Sequence, residues 1–554
     1  MTGRLIKRHS SFNEGSQLES VRYPVVMSEY DRVWTKYCGF LDLDIQQFMS
    51  IQESLLLQQL EKAVHSSLGR KLIGDRIPAG VEDFRRQVRL TSYKDYLPEL
   101  DYANEAVLPQ KPYVWADTLG YAGACRHVPV TVEAYNRALD NLMAVFILAC
   151  SVQRGHSTLE KGDRVLYNVA PPPYYPGILA AGAARLFNMR SVIPPDVHDV
   201  LDFREKIARG FDMSLRNGVD IIVAMTSVLV KIGNEFNQMS NRGGLFRHLL
   251  HPGKFLRVSR AMLRARMEHR RMLPGDLWPV KALIGWGTDT GIYRSLVYKY
   301  WGVYPYEFYG STEAGIMALQ SWTRRGMTFI PHANFFEFIP ESEYLMNRKD
   351  VYYEPRTVLL SGVRPGECYE LVVTSYYGMP FIRYRLGHLV RIVALEDTEA
   401  GIYLPQMVYE GRSDDLIDIA GFTRVSEKTV TEALASANVD FEGWTIRKEI
   451  KEGKPALHLY IELNSGGAGT HLAPLLHSEL MKADPGYHDL AAQMEIKPLY
   501  VTVLRPGTFQ GYYREREQSG TSPALRRPPR VNATDDIIAG LLSPGEISRV
   551  SVPR

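Results

Sequence analysis

Residues 280–315 read VKALIGWGTDTGIYRSLVYKYWGVYPYEFYGSTEAG. A short β-rich run, VKALIGWG, precedes a helical one, GIYRSLVYKYW, and the stretch closes on EFYGSTEAG. The same order recurs upstream. DRVLYNVA is followed by the small-residue helix PGILAAGAARLF, and GVDIIVAMT precedes another helical run. Repeated strand-then-helix units predict crossover connections and a mostly parallel sheet, an α/β fold. From Glu370 to Ile392 the pattern changes to close-spaced strands, ELVVTSYYG and RYRLGHLVRI, which predict an added antiparallel portion.

Working outward, residues 1–25 are expected to be a loose, mostly polar tail, and residues 45–68 carry apolar side chains at helical intervals. Toward the other end, EDTEAGIYLPQ introduces a change of character after Glu410. Beyond it the pattern predicts a helix from about Ser426, strands near 444–450 and 456–463, a helix after Gly469 and a last strand near 496–503. The expected organisation is a large domain over residues 1–410 and a small α+β domain over residues 411–554. A length of 554 residues agrees, because single cores stop growing well below that size.

A net charge of +3 is too small to argue for nucleic acid. The longest apolar run, residues 142–152, falls far short of the ~20 residues of a membrane span. No signal peptide is visible in the first twenty residues. Cys38, Cys125, Cys150 and Cys368 lie far apart without metal-ligand spacing, as reduced thiols do in a cytoplasmic protein. The expected location is therefore cytoplasmic; the sequence assigns no oligomeric state.

The chemistry concentrates in EFYGSTEAG. Tyr309 can stack on a base, Ser311 and Thr312 can bind phosphate, and Glu313 can hold Mg²⁺, which prefers oxygen ligands. Two glycine-rich stretches are less specific. GYAGACRH lacks the Lys-Ser/Thr ending of a P-loop, and GWGTDTG misses the dinucleotide fingerprint by one residue and reads more readily as a strand-to-helix turn. No Gly-x-Ser-x-Gly elbow is present, which argues against a serine hydrolase. The histidines lack metal-site company. Cys125, beside Arg126 in a glycine loop, is a minor candidate for an activated thiol.

With YGSTEAG, the segments FIRYRLGHLVRI, GRSDDLIDIAGF and LRPGTFQGYYREREQSGTSPALRRPPR fall into the order of the adenylate-forming superfamily of acyl-CoA synthetases and their relatives. FFEFIP, CYELVVTSYYG and the terminal PGTF…RPPR resemble its Gretchen Hagen (auxin-responsive) branch of acyl acid–amido synthetases. The resemblance spans about residues 112–542. It implies an adenylate-forming fold with a small mobile C-terminal domain, and an enzyme that activates a carboxylic acid with ATP and Mg²⁺ as acyl-AMP. An amine such as an amino acid would then take the acyl group. Transfer to the thiol of coenzyme A, or a catalytically impaired nucleotide- or acyl-binding protein on the same scaffold, are the alternatives.

The resemblance also assigns roles. Thr118, Gly120, Gly123 and Arg126 would form the phosphate loop, with Tyr309, Gly310, Ser311, Thr312 and His388 completing the nucleotide site. Glu313 would bind the metal, Arg412 and Arg527 would be catalytic, and Asp414 would be the hinge. Three places depart from the family pattern. Leu119, Tyr121 and Ala122 stand where hydroxyl residues are usual, His388 replaces a ribose-binding aspartate, and Arg527 replaces a lysine. Each missing hydroxyl removes a hydrogen bond to a charged oxygen, worth ~1.5–3 kcal/mol.

One stretch stands outside this scheme. Residues 242–271 hold nine Lys/Arg and a single acid, Glu268, with Leu256, Leu263 and Met267 at helical spacing. The plainer reading is a solvated helix with one face on the core. The other is a basic amphipathic helix for a membrane surface or an anionic partner.

Overall fold

The computed structural model of the protein describes residues 30–119, 125–194, 203–239, 252–286, 290–350, 352–413, 417–419, 423–451, 454–464, 471–484, 487, 499–519 and 526–542. Strands β1 (Val114–Leu119) and β2 (Cys125–Val130) form an antiparallel hairpin, and β3 (Ser151–Gln153) and β4 (His156–Ser157) a shorter one.

The large sheet contains β5 (Arg164–Asn168), β6 (Arg190–Ser191), β7 (Ile221–Met225), β8 (Ala282–Trp286), β9 (Pro305–Ser311), β10 (Gly315–Gln320), β11 (Met327–Phe329), β12 (Asn334–Pro340), β13 (Cys368–Ser375), β14 (Tyr384–Ala394) and β15 (Gln406–Arg412). Their spatial order is β12-β13-β14-β15-β11-β10-β9-β8-β7-β5-β6. From β6 to β9 the pairings are parallel, and from β9 through to β12 they are antiparallel. The expected crossover units supply the parallel half. Helix Tyr175–Leu186 follows β5, helix Thr226–Met239 follows β7 and helix Thr290–Trp301 follows β8. The close-spaced runs after Glu367 supply β13 and β14 of the antiparallel half, and β10, β11 and β12, which precede them in the chain, join with β15 to complete it.

The amphipathic run at residues 45–68 is two helices, Ile45–Val64 and Ser67–Ile73, rather than one. Ser66 caps the second by accepting the Gly69 N–H at 2.9 Å. Gly69 lies so close to Ala63 that a Cβ there would sit 1.9 Å from its carbonyl oxygen. Apolar periodicity continues across the break because both helices lean on the same core.

These N-terminal helices are fastened to the distant sheet by buried polar groups. Gln52 donates to the carbonyl of Pro331 at 2.8 Å and accepts from the Phe336 N–H at 3.0 Å. Gln59 donates to Met379 at 2.8 Å and accepts from Gly378 at 2.9 Å. Arg383 forks onto Glu337 at 3.0 and 2.7 Å while its remaining N–H groups reach the carbonyls of Arg85 and Val88. Both charges of that pair are buried, and the surrounding acceptors satisfy the donors that would otherwise make such burial costly.

Residues past β15 have a core of their own. The pair β16 (Ile417–Ile419) and β17 (Thr423–Val425), helix Glu427–Ser436, helix Leu472–Ala483 and the sheet of β18 (Phe441–Lys451), β19 (Lys454–Leu463) and β20 (Leu499–Leu504) pack around Trp444, Leu459, Ile461 and Leu476. Ser426 begins the first of these helices, accepting the Thr429 N–H at 3.1 Å. Among the described residues, two ion pairs link this unit to the rest: Lys428 to Glu410 at 2.9 Å and Lys231 to Glu442 at 3.2 Å. Among the described residues, no helix is long and apolar enough to cross a membrane.

Cys38, Cys150 and Cys368 are buried free thiols. Burial pushes Cys150 and Cys368 up to about 12, which leaves them protonated and inert. The side chain of Cys125 lies outside the described residues.

Candidate functional site

The YGSTEAG segment is the hairpin from β9 to β10, at the point where the large sheet changes from parallel to antiparallel pairing. Gly310 lies opposite Ile316 across it, and a Cβ on Gly310 would come 2.7 Å from the Gly315 carbonyl oxygen. Gly315 itself has φ of 67°, a left-handed conformation that favours glycine. Ser311 spends its hydroxyl locally, accepting the Ala314 N–H at 3.2 Å. The tip is held from behind by two buried amides: Asn334 donates to the Ala314 carbonyl at 2.7 Å, and Asn141 to that of Ile316 at 3.1 Å. Ser375 donates to the carbonyl of Glu313 at 3.3 Å. The backbone carrying Thr312 and Glu313 is therefore fixed before any ligand arrives.

Arg126 comes to this tip from β2, where it lies opposite Thr118 of β1. Its guanidinium stands 3.8 Å from the Glu313 carboxylate, covers the Tyr93 ring at 4.9 Å and donates to the Tyr384 hydroxyl at 3.4 Å. Burial pushes the Tyr93 phenol up to about 12. Tyr384 is raised too, by burial first and by the Glu313 charge second. Both phenols stay protonated and serve Arg126 as a ring face and an acceptor. Below, His127 Nδ1 meets Asp117 Oδ1 at 2.9 Å, bracing the hairpin. Gly120 and Gly123 lie outside the described residues.

A second cluster adjoins the first. The Tyr309 hydroxyl is 2.8 Å from His388 Nδ1, and its ring stacks on Tyr409 with centroids 5.5 Å apart. Burial raises the Tyr309 phenol well above its ordinary value, so it keeps a proton to offer the imidazole. His388 on β14 lies opposite Arg412 on β15, and Gly387 before it has φ of 68°. Arg412 is close enough for its charge to act on Tyr309. Asp414 lies outside the described residues.

Arg527 is elsewhere. It is exposed on the segment 526–532, which runs beside β18 through hydrogen bonds from Ile446 to Arg530 at 2.8 Å and from Asn532 to Ile446 at 2.9 Å. Thus Thr118, Arg126, Tyr309, Gly310, Ser311, Thr312, Glu313, His388 and Arg412 lie on adjoining elements of the large unit, and Arg527 sits on the small one. The sequence did not single out Tyr93, Tyr384 or Tyr409. Tyr409 lies three residues before Arg412, and no motif marks Tyr93.

Beside Thr312 and Glu313 opens a cavity of about 30 Å³. Helix Val132–Ala149 lines it with Ala134, Arg137, Ala138 and Asn141, and Tyr376, Tyr377 and Met379 line the other side. Arg137 lies over the Tyr377 ring at 5.6 Å.

Residues 327–401 match the model of the GH3 family central domain. The chain is 26% identical over 228 residues to jasmonoyl–L-amino acid synthetase GH3.5 of Oryza sativa subsp. japonica, covering 39% of this chain and 38% of that protein. It is 24% identical over 231 residues to the probable indole-3-acetic acid-amido synthetase GH3.6 of the same organism, covering 37% and 43%. The matched region spans about two fifths of the length of these curated relatives. Among solved structures, the AtGH3.15 acyl acid amido synthetase in complex with 2,4-DB is similar with a TM-score of 0.66 at 16% identity, over 96% of this chain and 99% of that one. A 2-hydroxyisobutyryl-CoA ligase in the postadenylation state with 2-HIB-AMP gives 0.57 at 15% identity, over 90% and 91%. The fold is that of the adenylate-forming enzymes.

Proposed function

We propose that this protein, which has the adenylate-forming fold and a GH3-type central segment, joins a carboxylic acid to an amine by way of an acyl adenylate. The observation that carries this reading is the convergence of Arg126, Thr312 and Glu313 on one rigid hairpin tip, with the Tyr309–His388–Arg412 cluster beside it. ATP would lie across the two clusters, its phosphates toward Arg126 and Thr312 and its nucleoside toward Tyr309, Tyr409 and His388. Fixed donors at a site of developing negative charge stabilise the transition state without reorganising.

Glu313 fits a Mg²⁺ ligand. Its carboxylate is buried beside a hydroxyl, and among the described residues no group of three His, Cys, Asp or Glu could hold a metal by itself. One protein carboxylate with phosphate oxygens and water is the usual way Mg²⁺ is held. When bound, the ion would supply charge neutralisation on the phosphates. The Arg126 guanidinium, 3.8 Å away, faces the same carboxylate. The acid would bind on the side of Thr312 where Arg137 lines the small cavity, which has to widen to admit it. The unit past β15 is proposed as a lid that turns at Asp414, and Arg527 as the cation it brings to the site. The proposed location is the cytoplasm.

Coenzyme A as the acceptor is the second reading, supported by the likeness in fold to a CoA ligase. The test is a panel of carboxylic acids with ATP and Mg²⁺, read by pyrophosphate release and by mass spectrometry of the products. Pyrophosphate release with an amide product is expected. A thioester product would move the assignment to the second reading, and no release with any acid would leave only a binding protein on this scaffold.

A further inference from the structure

Helix Pro252–Met267 is built the wrong way round for a helix that meets only the protein core. Its inward row is Val258, Ala261 and Ala265, which are buried against the cluster containing Ile222, Leu283 and Trp301. Its outward row is Leu256, Leu263 and Met267, which are 51%, 61% and 72% exposed. Met262 packs partly against the same core, while the other large apolar side chains of the helix face out. At 3.6 residues per turn the three outward residues fall within an arc of about 40°. Arg260 and Arg264 flank that arc on one side and Arg266 on the other, all exposed. Phe255, also exposed, extends the apolar surface past Arg266. The last exposed cation is Arg271, and the single acid of the region, Glu268, pairs with Arg264 and Arg270.

We infer that this helix docks the protein on an anionic lipid surface. A row of flexible apolar side chains with Arg260 and Arg264 on one side and Arg266 on the other suits a bilayer interface: the row enters the acyl boundary and the cations stay at the charged headgroups. A nucleic acid would engage the arginines and leave Leu256, Leu263 and Met267 without a partner. Charge complementarity therefore favours lipid. The surface belongs to a helix that packs on the back of the parallel half of the sheet and contributes nothing to the hairpin tip, so docking is independent of the proposed chemistry.

The test uses the full chain and sedimentation with vesicles of phosphatidylcholine, alone or mixed equally with phosphatidylserine. Partitioning onto the mixed vesicles is expected to exceed that onto phosphatidylcholine at least about tenfold and to weaken with salt. Leu256→Ser, Leu263→Ser and Met267→Ser together, with folding verified by thermal melting, are expected to remove most of the binding. So are Arg260→Gln, Arg264→Gln and Arg266→Gln together. Leu263→Trp, a single exposed change, is expected to show a blue-shifted emission with mixed vesicles only. An unshifted emission, absence of vesicle binding, or undiminished binding by the triple serine variant would overturn the inference. A dimer in solution that the serine variant dissociates, without vesicle binding, would reassign the face to self-association.

Discussion

Tyr309 and His388 meet across the large sheet, phenol to imidazole at 2.8 Å, although they come from β9 and β14, which are not neighbours in it. The bond joins the hairpin that carries Glu313 to the strand that pairs with Arg412. Tyr309→Phe keeps the ring and removes the bond, so it is expected to cost about 1 kcal/mol of stability. It is also expected to raise the dissociation constant for ATP, because His388 loses its orienting partner. Thermal melting and calorimetry with ATP·Mg²⁺ check both. His388→Asp is expected to tighten ATP binding, and unchanged affinity in both variants would remove this cluster from the nucleotide site.

Glu313→Gln is expected to abolish Mg²⁺-dependent pyrophosphate release while the protein stays folded, since the amide keeps the shape and loses the charge. Arg126→Ala is expected to weaken ATP binding by roughly tenfold or more, the scale of one charge-assisted hydrogen bond. Normal pyrophosphate release by the glutamine variant would take Glu313 out of the chemistry.

Glu410 is held from two directions, by Arg391 at 3.0 Å and by Lys428 at 2.9 Å. Lys428 belongs to the small unit, so Lys428→Met loosens one orientation of the proposed lid at a stability cost of under about 1 kcal/mol. The two half-reactions, pyrophosphate exchange and amide formation, are expected to respond unequally. Equal responses would place the moving joint elsewhere.

His332 is expected to make the fold acid-sensitive. Burial first, and the nearby Arg137 charge second, hold its imidazole down to about 3. The unfolded chain, with an ordinary value near ~6.5, binds this proton more readily, so stability falls as pH drops below the unfolded value and stops falling once it passes the folded one. The slope is ~1.4 kcal/mol per pH unit at most for one such group. His332→Gln is expected to shrink the loss of melting temperature between neutral and mildly acidic buffer, and an undiminished loss would assign the slope to other groups.

The elements most legible in the sequence were those with a short-range cause. DRVLYNVA and VKALIGWG declared strands because parallel strands are buried on both faces and read as continuous apolar runs. Ser426 marked a helix start that the structure places one residue later. The break at Ser66 was missed because apolar periodicity measures the face a helix presents and not its continuity. In the site, the glycines and hydroxyls of YGSTEAG were visible as a run. Tyr93 and Tyr384 were not, because each reaches Arg126 through tertiary packing across long stretches of chain. A tyrosine whose work is to sit under a guanidinium looks, in sequence, like any core tyrosine.

The buried glutamines of helix Ile45–Val64 have a consequence for biosynthesis. Gln59 finds its partner at Met379, 320 positions further on. A ribosome adding ~5–20 residues per second takes roughly 16–64 s to cover that distance. Gln52 waits almost as long, for the carbonyl of Pro331, so for most of that interval the polar hooks of the helix have nothing to hold. Such an element is a natural client for chaperones during synthesis, and its docking is a late event that closes the molecule instead of a nucleus that starts it.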